Sequence, residues 1–273
     1  MNARTAAVGV RRQLAEAGVP DAGFEAEILV REAAGLTRAQ FFSNACLEPR
    51  NAEVLQGLTA RRAAREPLAY LLGRREFYGI DFAVRPDVLI PRPETELLVD
   101  VALAELRKAP HSVVADIGTG SGCVAATIAA HAPDATVIAT DRSARAIAIA
   151  TRNFASIGVR VSAVRCDLAE TLRHAAIVVA NLPYIPGGEI AELEPEVRDW
   201  EPRSALDGGA DGLELVRRLI DDCGTRLRPR LLALEVMAGQ AGDVVSYATR
   251  TGAGTETHRD LAGVERVVTA RWA

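Results

Sequence analysis

Lysine is almost missing from this chain. Lys108 is the only one among 32 basic residues; the rest are arginine. With alanine abundant, this reads as coding bias and carries no functional weight. Cysteine is scarce: Cys46, Cys123, Cys166 and Cys223 are scattered, with no C-x-x-C spacing and no neighbouring histidine. That excludes a zinc ribbon or a disulfide scaffold and fits a reducing compartment. Long apolar runs are absent, since none reaches the ~18 residues of a membrane span. The opening MNARTAAVGVRRQLAEAG has arginines but no continuous apolar stretch or small-residue cleavage site, so no secretory signal is expected. An excess of positive charge is lacking too. The net charge is −4, which argues against a broad basic face for nucleic acid. Residues 1–75 are basic and the remainder is acidic. What remains is a folded, cytoplasmic protein of 273 residues, 49% hydrophobic and 25% charged, with room for one large domain or two smaller ones.

Residues 1–75 read as helices. Asp21 is a candidate N-cap before Ile28 and Leu29, Thr37 a candidate cap for a short helix carrying Phe41 and Phe42, and 50–65 shows helical spacing through Val54, Leu55 and Leu58. Such helices need one another to bury their apolar stripes, so a small bundle is expected. Phe77, Tyr78, Ile80, Phe82 and Val84, broken by Gly79 and Asp81, suggest a hairpin linking the bundle to the main domain. From about residue 95, strand patterns (112–117, 136–141, 159–164, 177–182, 231–236) alternate with helical ones (95–108, 121–131, 143–156, 211–227, 239–251). The run 264–272 alternates and suggests a final antiparallel edge strand. This order implies a mainly parallel sheet covered on both faces, with a ligand site at the carboxyl ends of its strands.

One such end carries GTGSG, Gly118–Thr119–Gly120–Ser121–Gly122, between a strand and a helix. Glycines let the backbone turn sharply near a ligand, and a helix start offers free N–H groups. Alone the pattern is weak, since any tight strand–helix turn shows it. Asp141 ends the next strand, where a carboxylate can take both ribose hydroxyls of a nucleoside; its ordinary alternative is to cap the helix after Ser143. Asp116 stands just before the turn. An acid there disfavours pyrophosphate and favours a ligand with cationic groups, which points to S-adenosylmethionine rather than NAD. Asp167 and Leu168 follow the third strand, where they would flank the adenine, with Leu168 on the ring; a surface turn is the other reading.

The fourth strand ends in Asn181–Leu182–Pro183–Tyr184. A planar amide or adenine nitrogen has a delocalised lone pair and is a poor nucleophile. The Asn181 side-chain oxygen and a nearby backbone carbonyl can accept its two N–H bonds, aim it at a methyl carbon and stabilise the positive charge that develops. Tyr184 can pack on the planar group.

These residues, with EPLAYLLGRREFYGIDFAV (66–84), LIPRPETELLVD (89–100), PEVRDWEPRSALDGGADGLE (195–214) and DLAGVERVV (260–268), run through nearly the whole chain. The sequence resembles the bacterial protein-(glutamine-N5) methyltransferases that modify peptide-chain release factors, the PrmC/HemK family. The resemblance implies a Rossmann-like class I methyltransferase domain with a mainly parallel seven-stranded sheet over 93–273, a release-factor-recognising helical bundle over 1–75 and a β-hairpin linker over 76–92. It implies S-adenosylmethionine as cofactor, S-adenosylhomocysteine as product and no metal. Gly118, Thr119, Gly120, Ser121, Gly122, Asp141, Leu168 and Asn181 would hold the cofactor. Asn181, Leu182, Pro183 and Tyr184 would hold the glutamine of the factor's Gly-Gly-Gln motif. The implied partner is the release factor, with no direct nucleic-acid or membrane contact, and the protein is expected to be a monomer.

The chain departs from the family in reading NLPY where NPPY is usual. Leu182 keeps the backbone carbonyl but loosens the turn. NLPY is also the form in rRNA adenine dimethyltransferases, so adenine-N6 methylation of RNA or DNA is an alternative, as is a glutamine methyltransferase for another protein, or a binding module that has lost turnover. Arg92, Glu94 and Glu96 either line the cofactor mouth or open the next helix. Glu235 reads as structural, and Arg61, Arg62, Arg65, Arg74 and Arg75 as either a basic face for a ribosomal or release-factor partner or, the favoured reading, a solvated helix face.

Overall fold

Apolar residues at helical spacing make the N-terminal part all-helical. In a computed structural model, which describes residues 2–43 and 45–272, it contains the helices Ala3–Glu16, Ala22–Ala34, Arg38–Phe42, Pro49–Ala63 and Leu68–Leu72. Thr37 caps the third of these in a reciprocal capping box with Gln40. Asp21 occupies the cap position of the second helix but makes no side-chain cap bond. Its backbone is left-handed, φ 31°, whereas side-chain capping needs an extended cap residue. Val10, Leu14, Ala26, Leu29, Val30 and Leu55 bury the core of this bundle.

By its contacts the chain forms two compact units, Met1–Gly73 with Glu194–Trp200, and Arg74–Leu193 with Glu201–Ala273. Within the first, Arg62 is 3% exposed and lies between Glu25 (2.5 Å) and Glu196 (2.9 Å). Arg62 therefore does not belong to a solvated face: the guanidinium is buried because two carboxylates meet it.

The second unit starts with a hairpin, β1 (Arg74–Phe77) and β2 (Ile80–Ala83). Tyr78 and Gly79 both have positive φ, as a two-residue hairpin turn requires. The strands β3 (Val113–Ile117), β4 (Thr136–Asp141), β5 (Val161–Arg165), β6 (Ile177–Ala180), β7 (Leu231–Glu235), β8 (Gly254–Arg259) and β9 (Glu265–Arg271) come after it. They form one sheet in the order β5-β4-β3-β6-β7-β9-β8. Strands β3 to β7 pair in parallel, while β9 is antiparallel to both β7 and β8.

Alternate residues go to opposite faces. Val114, Ile177, Val179, Leu231 and Ala233 pack with the helices Glu96–Leu106 and Cys123–His131. Ala115, Val178, Ala180, Leu232 and Leu234 pack with the helices Glu214–Asp222 and Ala241–Arg250. Both faces are thus covered, as a parallel sheet demands. The segment 264–272 was expected at the edge, and this is corrected: β9 lies inside, with Val267, Val268 and Ala270 buried. The edge on this side is β8, whose sequence GTETHR has no apolar alternation. Among the described residues no helix is long and apolar enough to cross a membrane.

Arg62→Ala strips Glu25 of its guanidinium partner and leaves Glu196 to Arg65 alone. It should lower the unfolding free energy by about 3–5 kcal/mol, the usual cost of breaking a buried ion pair. Urea denaturation checks this; a loss below ~1 kcal/mol contradicts the assignment.

Candidate active site

The strand order reverses between β3 and β6, which are adjacent and parallel, with Ile117 opposite Ala180. The next residues on each strand are therefore Gly118 and Asn181, side by side at the switch point of the sheet. A cavity opens there, lined by residues of both loops, where open α/β sheets bind their ligands. Of the residues expected from sequence, Gly118, Thr119, Gly120, Ser121, Asp141, Leu168, Asn181, Leu182 and Pro183 line it. Gly122 and Tyr184 do not. Gly122 sits beneath Phe154, whose ring is 2.6 Å from where a Cβ would stand, so packing leaves no room for a side chain there.

The turn after β3 is held from behind. Gly118 and Thr119 N–H donate to the Thr140 carbonyl at 2.9 and 2.8 Å. The Asp141 carboxylate accepts from Gly120 N–H (3.0 Å) and Ser143 N–H (2.8 Å). Ser143, not Asp141, caps the following helix, accepting from Ala146 N–H. Each Asp141 oxygen keeps a further lone pair. Asp116, buried under the turn, accepts from the Thr119 hydroxyl at 2.6 Å and from Ala125 N–H at 3.2 Å. Burial pushes its pKa up to about 6 against these bonds, and burial also raises Asp141. Two carboxylates under strain from desolvation favour a cationic ligand, which suits the sulfonium and ammonium of S-adenosylmethionine. Space beside Gly120 is open, with nothing within 4 Å of a Cβ there. Leu168 holds a left-handed backbone, φ 45°, with its carbonyl taken by the Thr140 hydroxyl at 2.9 Å. Asp167 lines the cavity and pairs with Arg218 at 2.6 Å.

The loop after β6 is held just as closely. Leu182 is 4% exposed; its Cδ2 lies 3.1 Å from where a Gly118 Cβ would stand, so it joins the two loops by apolar contact. Ile185 N–H donates to the Leu206 carbonyl and Gly208 N–H to the Ile185 carbonyl, at 3.0 and 2.9 Å. A Cβ on Gly208 would stand 2.6 Å from the Pro183 carbonyl oxygen. Only glycine fits so close an approach. Gln240 Nε2 donates to the Tyr184 carbonyl at 2.8 Å. The ALDGGADGLE stretch is thus the bed on which NLPY lies.

Several residues that shape the site were not found by local sequence reasoning. Asn153, 2% exposed, bonds both backbone groups of Ala83 and the Ser121 carbonyl, tying the hairpin to the glycine turn. Buried Glu201 accepts from Ile90 N–H and from Arg92, which fixes IPRP against EPRS. Thr95 accepts from Asn181 Nδ2 at 3.1 Å, and Glu235 accepts from the Tyr184 hydroxyl at 3.4 Å. Of the three charges left open near the cavity mouth, Arg92 lines the cavity, Glu94 is exposed, and Glu96 accepts from Tyr78 N–H in the hairpin turn. Among the described residues no group of His, Cys, Asp and Glu is arranged to hold a metal.

A doubly wound sheet with a glycine turn and an Asn–x–Pro–Tyr loop at its switch point defines a methyltransferase of the Rossmann-like class. A family model described as "PrmC N-terminal domain" matches residues 7–73, and one described as "Methyltransferase small domain" matches 94–193. A protein of Geobacter sulfurreducens named release factor glutamine methyltransferase is 44% identical over 96% of this chain and 93% of its own. One of the same name from Gloeobacter violaceus is 44% identical over 99% of each chain. The chain belongs to the release factor glutamine methyltransferase family. Solved structures share the fold at low identity: the catalytic domain of human Mettl16 (TM-score 0.58, 16% identity, 79% of this chain and 82% of that one) and a methyltransferase from Pyrococcus furiosus (TM-score 0.54, 16% identity, 80% and 100%).

Gly118→Ala places a Cβ against Leu182 on a backbone at φ 75°. It should weaken S-adenosylmethionine binding at least tenfold by calorimetry, since both loops must shift. An unchanged affinity contradicts the close coupling of the two loops.

Proposed function

We infer that the protein transfers a methyl group from S-adenosylmethionine to the side-chain amide nitrogen of the glutamine in the Gly-Gly-Gln motif of peptide-chain release factors. The observation that carries this is Asn181, held at the cavity edge beside the glycine turn with its amide NH₂ bonded to Thr95. Family membership supplies the substrate: relatives covering almost the whole chain bear the glutamine methyltransferase name. The adenine alternative opened by NLPY is not favoured by them.

S-adenosylmethionine supplies an electrophilic methyl on a cationic sulfonium. Asp116 and Asp141 put negative charge beneath that part of the cavity, and the lone pairs Asp141 retains are available to ribose hydroxyls. Leu168 and the other apolar lining residues offer a surface for the adenine. Asn181 Oδ1 and the Leu182 carbonyl accept the two N–H bonds of the glutamine amide. They orient its nitrogen and favour the positive charge that grows on it, so a strong base is not needed before transfer. Tyr184 lies outside the cavity lining and acts from behind. The helical unit is read as the part that recognises the release factor; exposed Phe24, Phe42 and Val54 offer apolar anchors on it. The reading includes a cytoplasmic monomer without a metal, in keeping with four free cysteines and a partner from translation.

Incubation with S-adenosylmethionine and unmodified release factor, followed by peptide mass spectrometry, should show one added methyl on the Gly-Gly-Gln glutamine. Asn181→Ala should cut turnover by about ten- to a thousandfold, the scale of losing a preorganised polar contact. Asp141→Ala should chiefly weaken cofactor binding. No methyl on that glutamine, or wild-type turnover by Asn181→Ala, overturns the reading.

A further inference from the structure

Two residues to which the family resemblance assigns no site role lie near Asn181, and one of them, Thr95, lines the cavity. Thr95, 3% exposed, accepts from Asn181 Nδ2 at 3.1 Å. Glu235, at the end of β7 and 2% exposed, accepts from the Tyr184 hydroxyl at 3.4 Å, and the Thr95 and Tyr184 hydroxyls both favour its ionised form. Glu235 Oε2 is shielded from solvent and has no hydrogen-bond partner of its own among the described residues. Also facing it are Glu94, in the turn before the helix Glu96–Leu106, Arg266 on β9 and the Cys123 thiol at the start of the helix Cys123–His131. Asn181 Oδ1 accepts from no group among the described residues.

The direction of these bonds is set by what each group can do. An ionised carboxylate only accepts, and a threonine hydroxyl has one proton to give. If the Thr95 O–H donates its hydrogen bond to Glu235, its oxygen can only accept from Asn181. The NH₂ end of the Asn181 amide must then face Thr95, and Oδ1 must face the cavity. An amide flipped the other way would set its NH₂ against the NH₂ of an incoming glutamine, donor against donor.

We propose that Thr95 and Glu235 are positioning residues that lock the Asn181 amide with its oxygen toward the substrate nitrogen. This rests on the substrate-holding role inferred above for Asn181. The lock depends on pH. Burial pushes Glu235 up to about 7 from an ordinary 4.5, with Glu94 adding to the rise and Thr95, Tyr184 and Arg266 opposing it. Above that pH the carboxylate is ionised and accepts the hydrogen bond of the Thr95 O–H. Below it, the protonated carboxyl donates to Thr95. The Thr95 hydroxyl is then free to donate to Asn181 Oδ1, and the amide can flip. Methyl transfer should therefore rise with pH through about 7, in kcat and not in cofactor affinity.

The test uses the full-length protein with Thr95→Val, Thr95→Ser, Glu235→Gln and Asn181→Ala. The assay follows methylation of release factor from pH 6 to 9, with S-adenosylmethionine affinity by calorimetry and thermal midpoints alongside. Thr95→Val and Glu235→Gln should each lower kcat about three- to tenfold, with cofactor affinity within twofold of wild type. Thr95→Ser should keep at least half of wild-type kcat, and Glu235→Gln should lose the rise near pH 7. Wild-type kcat and an unchanged pH profile in both Thr95→Val and Glu235→Gln, with Asn181→Ala inactive, overturn this inference alone. So does Thr95→Ser as slow as Thr95→Val, or losses seen only in cofactor affinity and thermal midpoint. If Asn181→Ala itself turns over normally, the substrate-holding reading falls and this inference with it.

Discussion

Parallel pairing of β3 with β6 is the constraint on which the rest of the site depends. It places Gly118 and Asn181 one residue beyond paired positions, Ile117 and Ala180, at the point where the chain direction of winding reverses. Backbone hydrogen bonds then fix what lies on either side. Thr140 and Asp141 hold the glycine turn, while the Leu206–Gly209 segment and Gln240 hold the loop after β6. A transfer reaction needs two reactants brought together in one geometry, and that geometry is worth several kcal/mol of barrier when it is set in advance. Here it is set by a sheet, the least deformable part of the fold.

Leu182 shows how a departure from the usual motif is absorbed. A proline at this position would stiffen the turn through its ring. The leucine is instead immobilised by burial against Gly118 and within the core that includes Leu213 and Leu234. Its backbone carbonyl is retained, so the acceptor that the chemistry needs survives the change. Packing does here what covalent restriction does elsewhere.

Much of this was legible in the sequence. Runs of Val, Ile and Ala bounded by helical spacing located β3, β4, β6 and β7 within a residue or two, because a strand buried on both faces must be apolar throughout. GTGSG and NLPY were legible because glycine and proline are informative only where the backbone turns. The strand β8 was not legible, since its residues GTETHR are almost all polar and carry no apolar alternation. The partners of the site were not legible either. Thr95 meets Asn181 across 86 residues, Asn153 meets Ala83 across 70, and Glu201 meets Ile90 across 111. No local periodicity records such pairs. A buried charge at the end of a strand, as at Glu235, was the one signal that could have led to its network. Asp21 shows the converse, a residue type suited to capping at a position whose backbone forbids it.

The central claim is that one cavity holds a cationic cofactor and a planar amide edge to edge, with Asn181 oriented by its bond to Thr95. A crystal structure with S-adenosylhomocysteine and a Gly-Gly-Gln peptide tests this most directly. The account predicts the glutamine side-chain nitrogen between Asn181 Oδ1 and the Leu182 carbonyl, with Asn181 Nδ2 still on Thr95. A glutamine amide bound elsewhere, or one that meets Asn181 through Nδ2, would contradict it.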